Sequence, residues 1–136
     1  MKRLVFCFDG TWNKLVPDLA TNVVLTAASI DRIDQHGVTQ IIHYDEGVGT
    51  GDLDAMRGGM FGTGLIDNVR EAYRFLVFNY DPGDEIYVFG FSRGAYSART
   101  FVGFIRHVGP LHRLHVGRID EAVELYQKRK EGKDGT

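Results

Sequence analysis

The sequence is poor in cysteine, and this scarcity limits the covalent and metal chemistry open to the chain. Its single cysteine, Cys7, has no partner for an internal disulfide and cannot build a cysteine-ligated zinc site. Cys7 lies within the apolar run 4–8, so we expect a small, buried hydrophobic side chain. We expect no cofactor and no resident metal.

A strong excess of charge of either sign is also absent. The chain has 16 basic and 18 acidic residues, a net charge of -2, and lacks the basic stripe that nucleic-acid phosphates require. A basic run at 128–130 opens a polar tail, 128–136, and such a run is typical of a solvated helix end. We therefore expect no nucleic-acid partner.

Long hydrophobic stretches are missing as well. The first apolar run stops at Asp9, well short of the roughly 7–15 apolar residues of a signal peptide or the about 20 of a membrane span. We expect synthesis in the cytoplasm without a signal peptide, and no membrane span. Delivery by a dedicated secretion machine would leave no signal of that kind.

Alternating strand and helix patterns run along the chain. Short apolar runs, each closed by a turn signal, predict strands buried on both faces at 3–8, 39–44 and 85–91. Apolar residues at helical spacing predict helices at 21–30, 65–80, 95–108 and 119–130. The stretch 45–64 has seven glycines and predicts a long loop. This alternation predicts a single α/β domain, residues 1–136, with a largely parallel sheet between two layers of helices.

Residues 90–94, with the sequence Gly-Phe-Ser-Arg-Gly, carry the motif most indicative of chemistry. A buried strand runs into this G-x-S-x-G motif and a helix runs out of it, which is the context of a nucleophile elbow. Ser92 would be the nucleophile, while Gly90 and Gly94 let strand and helix approach closely. The backbone N–H of Arg93 would then donate to an oxyanion. The alternative is a serine that caps the helix after a glycine turn.

A second oxyanion donor is expected from the loop after a neighbouring strand. Asp9-Gly10-Thr11 follows the first strand, so the backbone N–H of Gly10 or Thr11 is the candidate. The alternative is an ordinary turn that ends the strand.

Several segments, in order and with matching spacing, resemble one family. They are FDGTWN at 8–13, TNV at 21–23, HYDEGVGT at 43–50, AYRFL at 72–76 and PGDEIYVFGFSRGAYSAR at 82–99. The resemblance is to the bacterial α/β-hydrolase domain family that includes type VI secretion phospholipase effectors, and it covers residues 3 to about 110. It implies an esterase or phospholipase with Ser92 as nucleophile in a Ser-Asp-His triad, acting on an ester or lipid substrate.

The sequence departs from that family after the elbow. Hydrolase triads follow the order serine, acid, histidine, but no acid lies between Ser92 and the last histidine, His115. His107 would lie about 20 Å from Ser92 along the helix, and His112 and His115 would have to fold back. The triad therefore cannot be completed in its usual order within the chain, and we expect a domain truncated after the elbow helix.

Two other groups of residues are weaker candidates. His43 lies on a strand that ends in Asp45-Glu46, but a metal site would need more ligands than the sequence shows. Phe61, Phe75 and Phe78 would either line an acyl pocket or belong to the core.

The hydrolase sheet places the second strand outside the first and the elbow strand on the first strand's other flank. The far edge of the elbow strand would then be open, so we expect a dimer, a partner chain across that edge, or poor solubility. Two functions follow from the sequence. One is a serine hydrolase of esterase or phospholipase type, and the other is an inactive hydrolase fragment that acts as a binding or interaction module.

Overall fold

The computed structural model describes residues 1–10, 21–47 and 61–134, with side chains omitted at 61–63 and 130–134. Three strands and four α-helices alternate over these residues. In chain order they are β1 (Arg3–Phe8), α1 (Asn22–Ser29), β2 (Gln40–Asp45), α2 (Phe61–Asn79), β3 (Glu85–Gly90), α3 (Arg93–Val108), a 3-10 helix (Arg113–Arg118) and α4 (Ile119–Asp134).

The strands form a parallel sheet in the order β2-β1-β3. Arg3 at the start of β1 aligns with Gln40 of β2 and with Glu85 of β3, so the three strands run side by side over their full lengths. The central strand is buried on both faces, because residues 4–8 are at most 3% exposed and Cys7 is fully buried. The parallel α/β fold and the strand order predicted from the sequence are confirmed.

Helices cover the two faces of the sheet unequally. On one face, Leu4, Phe6 and Phe8 of β1 pack against α2 and α3, and α4 packs on those two helices in the same core. On the other face, Val5 and Cys7 pack against α1 through Val23. Burial of these apolar side chains stabilises the fold by roughly 25 cal/mol for each Å² removed from water. The fold is therefore a three-layer α/β sandwich.

The sequence prediction was wrong at some element boundaries. Residues 61–64, expected in the long loop, form the first turn of α2, while 48–60 lie outside the described residues. The 3-10 helix was missed because its start depends on a local side-chain bond, in which His112 accepts the backbone N–H of Leu114 at 3.2 Å. The polar tail is helical as far as Asp134, where α4 ends.

Among residues 1–10, 21–47 and 61–134, no helix is long and apolar enough to cross a membrane.

A charged cluster ties the start of β1 to the turn before β3. Asp84, only 3% exposed, accepts the Lys2 ammonium at 2.5 Å and the backbone N–H groups of Lys2 and Asp81 at 2.9 and 2.8 Å. Burial opposes ionisation of Asp84, but these hydrogen bonds outweigh it and lower its pKa to about 2. The ionised carboxylate therefore stabilises the folded chain.

We expect Asp84→Ala to lower the free energy of unfolding by about 2 kcal/mol at pH 7, because the Lys2 ammonium and two backbone N–H groups lose a charged acceptor. A free aspartate titrates near 3.9, so the contribution of Asp84 is complete above that pH and is lost as the pH falls toward 2. Urea unfolding at pH 7 and at pH 2.5 checks both points. Asp67→Ala is the control, because the Asp67–Arg70 pair is exposed and contributes little. Equal losses of unfolding free energy in Asp84→Ala and Asp67→Ala at pH 7 would contradict the prediction.

The outer edge of β3 is open in the described part of the chain, where β3 pairs only with β1. Tyr87 and Phe89 lie beside Val5 and Cys7 in the register and therefore share the α1 face of the sheet. They remain 44% and 42% exposed because α1 packs on β1 and β2. An unpaired edge beside exposed aromatic side chains favours association.

We expect the protein to self-associate through this edge. Phe89→Lys should shift the association equilibrium toward monomer, because a charge on an edge strand opposes strand pairing. Light scattering coupled to gel filtration at matched concentrations measures the shift. Phe78→Lys is the control, since Phe78 is 52% exposed but lies on α2. A clean monomer before any substitution would contradict this expectation.

Candidate active site

Ser92 lies at the sharp turn between β3 and α3, at the carboxyl edge of the sheet. Its φ of 56° and ψ of -120° make it the only non-glycine residue with a positive φ in the described part of the chain. Such a conformation costs on the order of 1–3 kcal/mol and persists only where its surroundings enforce it. Ser92 occupies the N-cap position of α3, but its side chain makes no capping hydrogen bond.

Two glycines make this turn possible. A Cβ on Gly94 would lie 2.1 Å from the carbonyl oxygen of Phe8, and one on Gly90 would lie 2.5 Å from the carbonyl oxygen of Gly94. Both obstacles are backbone atoms, which cannot rotate away as a side chain can. The ends of β1 and β3 and the start of α3 therefore meet only because these positions lack a side chain.

The structure brings the end of β1 next to Ser92. A Cβ on Gly10 would lie 3.3 Å from the Ser92 Cβ and 3.8 Å from its Oγ. The backbone N–H of Gly10 donates to the Asp9 carboxylate at 2.8 Å, so it already has an acceptor. Thr11 lies outside the described residues. Arg93 is the first residue of α3, so its backbone N–H lies at the positive end of the helix dipole.

Asp9 is a buried carboxylate whose position the sequence did not reveal. It is 1% exposed and accepts the Gly10 N–H at 2.8 Å, the Thr21 hydroxyl at 2.5 Å and the Tyr44 hydroxyl at 2.6 Å. Burial and the hydrogen bond to Asp9 raise the pKa of Tyr44, which keeps its phenol protonated as a donor. One feature of the sequence indicated that Asp9 and Tyr44 lie at the same edge of the sheet, because each falls at the carboxyl end of a predicted strand.

All five histidines lie in the described part of the chain, and the fold places them away from Ser92. His43 lies on β2, across β1 from β3 and so about 10 Å to the side. Its ring packs 5.8 Å from that of Phe6 and 5.0 Å from that of Phe75, and burial lowers its pKa. His36 lies in the turn that precedes β2, at the amino edge of the sheet.

The three histidines after Ser92 lie toward the amino edge of the sheet. His107 is in the last turn of α3, about 20 Å from Ser92, where its ring contacts the Arg129 guanidinium. His112 and His115 belong to the 3-10 segment, which a 2.5 Å ion pair between Arg113 and Asp81 holds beside the turn before β3. Neither histidine folds back toward the elbow, so no histidine of this chain lies beside Ser92.

The weaker candidates do not form a second site. Within the residues that the structure describes, no three His, Cys, Asp or Glu side chains come together as metal ligands. Asp45 is half-buried, and burial raises its pKa. Phe75 belongs to the core, where its ring lies 5.7 Å from that of Phe6, whereas Phe78 is exposed. Phe61 lies among the residues whose side chains are not described.

A parallel α/β sandwich in which a serine of positive φ joins a strand to a helix is typical of the α/β-hydrolase class. The family model described as T6SS, phospholipase effector Tle1-like, catalytic domain, matches residues 2–136. The chain belongs to this Tle1-like family.

A protein of Saccharomyces cerevisiae that bears the name "Uncharacterized protein YEL023C" is 32% identical to the chain over 142 aligned residues. The alignment covers 93% of the chain but 20% of the yeast protein, so the chain spans about a fifth of the length of this relative. No solved structure matches the chain.

We expect Gly94→Ala to destabilise the fold by more than about 4 kcal/mol, or to prevent folding, because the new methyl group meets the Phe8 carbonyl. Gly117→Ala is the matched control, since a Cβ there meets no atom within 4 Å. Thermal unfolding followed by circular dichroism compares the two variants. Similar melting temperatures would show that α3 does not approach β1 this closely.

Proposed function

We propose that this chain carries the nucleophile of a serine hydrolase of esterase or phospholipase type, and that Ser92 is that nucleophile. The strained conformation of Ser92 supports the proposal most directly, because its φ is 56° and its hydroxyl makes no capping hydrogen bond to the helix that would explain a serine there. Membership in the Tle1-like family supports ester hydrolysis, with a phospholipid or other carboxylic ester as substrate.

In this proposal the Ser92 Oγ attacks the acyl carbonyl carbon, and a general base accepts its proton. The ester carbonyl oxygen becomes an oxyanion that accepts hydrogen bonds from the Arg93 N–H and from the loop after β1. Because the Gly10 N–H donates to Asp9, the Thr11 N–H is the better of the two candidates in that loop. The alcohol then leaves with a proton, and water hydrolyses the acyl-serine to regenerate Ser92.

Every histidine of the chain lies away from Ser92, so in this proposal the histidine that acts as general base comes from outside the 136 residues. We propose that a further segment of a longer protein, or a partner chain across the open edge of β3, supplies the histidine and its acid. The length of the yeast relative, of which the chain spans about a fifth, is consistent with the first source. The 136 residues would then be one partial catalytic domain. The family also favours delivery by a secretion machine.

The alternative function is an inactive hydrolase fragment that binds a partner or a lipid. Two observations favour this alternative. No histidine of the chain lies beside Ser92, and Tyr87 and Phe89 are exposed on the α1 face of the sheet. Such a module would keep the elbow for its shape and would not activate Ser92.

Labelling with a fluorophosphonate probe, followed by mass spectrometry, tests the proposal on the protein together with the source of its base, either the longer chain or the complex with the partner. We expect label on Ser92 and at least a hundredfold lower incorporation in Ser92→Ala, because an elbow serine with a base reacts far faster than an ordinary hydroxyl. Ser29→Ala, at the end of α1, should label like the unmodified protein. Absence of label on well-folded protein would favour the interaction module.

A further inference from the structure

We infer that Asp9 is a positioning residue that holds the backbone of Gly10 against Ser92, with Tyr44 and Thr21 as the two donors that fix its carboxylate. The inference rests on the proposed function, because it assigns Asp9 to the geometry of the same site. Asp9 acts through the Gly10 backbone and need not touch the substrate.

The network connects three separate parts of the fold at the carboxyl edge of the sheet. Asp9 follows β1, Tyr44 lies at the end of β2, and Thr21 is the N-cap residue of α1. The Tyr44 and Thr21 hydroxyls both donate to Oδ2 of Asp9, at 2.6 and 2.5 Å. Thr21 also accepts the backbone N–H of Val24 at 3.1 Å. The carboxylate is therefore held from two directions and cannot rotate.

The other carboxylate oxygen of Asp9 binds the backbone of Gly10. Oδ1 of Asp9 accepts the Gly10 N–H at 2.8 Å, which sets the orientation of the peptide between the two residues. Gly10 in turn lies against Ser92, with its ideal Cβ position 3.3 Å from the Ser92 Cβ. A rotation of the Asp9 carboxylate would thus shift the Gly10 backbone that lies against the Ser92 side chain.

The network also restricts the conformation of the chain at Asp9. A carboxylate that is 1% exposed is costly to bury unless it is hydrogen-bonded, and three donors reach this one. An apolar residue at position 9 would leave those donors without this acceptor. Satisfied buried polar networks of this kind fix one conformation, and here the conformation fixed is that of Asp9 and Gly10 beside Ser92.

Tyr44→Phe tests the inference with little change in shape, since it removes only the hydroxyl that holds Oδ2. We expect the maximal rate of fluorophosphonate labelling at Ser92 to fall by about tenfold or more, with little change in the probe concentration for half-maximal rate. A displaced Gly10 backbone would let the Ser92 hydroxyl leave the orientation that attack requires, without changing how the probe binds. Thr21→Val should also lower the maximal labelling rate, whereas Thr21→Ser, which keeps the hydroxyl, should label at the unmodified rate.

Tyr73→Phe is the matched control. Tyr73 is also a buried tyrosine, and its hydroxyl donates to the Gly109 carbonyl at 2.5 Å and accepts the Leu111 N–H at 3.1 Å, beyond the carboxyl end of α3. This variant should lose stability and yet label at the unmodified rate.

The outcomes separate the two proposals. Labelling of Tyr44→Phe at the unmodified rate, with Ser92 labelled in the unmodified protein, overturns the role of Asp9 and leaves the proposed function intact. Equal slowing by Tyr44→Phe and Tyr73→Phe also overturns it, since the effect would then follow stability alone. An unmodified protein that takes no label on Ser92 overturns the proposed function, and this inference with it.

Discussion

The architecture depends on one close crossing of backbone over backbone, where the start of α3 passes the end of β1. The missing side chain of Gly94 lets the helix come against the Phe8 carbonyl, and Gly90 lets the helix fold back over its own strand. Ser92 lies between these two glycines, so its positive φ is a consequence of the crossing. Strain at Ser92 and packing of α3 on the core are therefore two results of the same contact.

The sequence predicted the strands within one residue at either end, because each is an apolar run stopped by turn residues, and both features are local. The strand-to-helix turn at Ser92 was predictable for the same reason, because Gly90, Ser92 and Gly94 lie between a local strand pattern and a local helix pattern. The order of the strands came from the family resemblance. Three parallel strands can be arranged in several orders, and hydrophobic patterns alone do not determine which order forms.

The network around Asp9 was beyond prediction because its partners are distant in sequence. Thr21 is 12 residues away and Tyr44 is 35 residues away, and each has an ordinary local explanation, as a helix cap and as a strand residue. The boundary error at 61–64 has a different cause. Glycine content suggested a loop, whereas packing of the apolar face of α2 on the sheet outweighs the low helix propensity of its first turn.

The strand order also determines when the chain can fold. The central strand β1 is synthesised first, yet its pairing partner β3 follows about 80 residues later, and the contact that closes the two, from Lys2 to Asp84, spans 82 positions. Closing so large a loop costs conformational entropy, so the pairing of β1 with β3 is expected to be slow. Until β3 and α3 follow, β1 can pair with β2 and pack against α1, but its other face stays uncovered and favours aggregation.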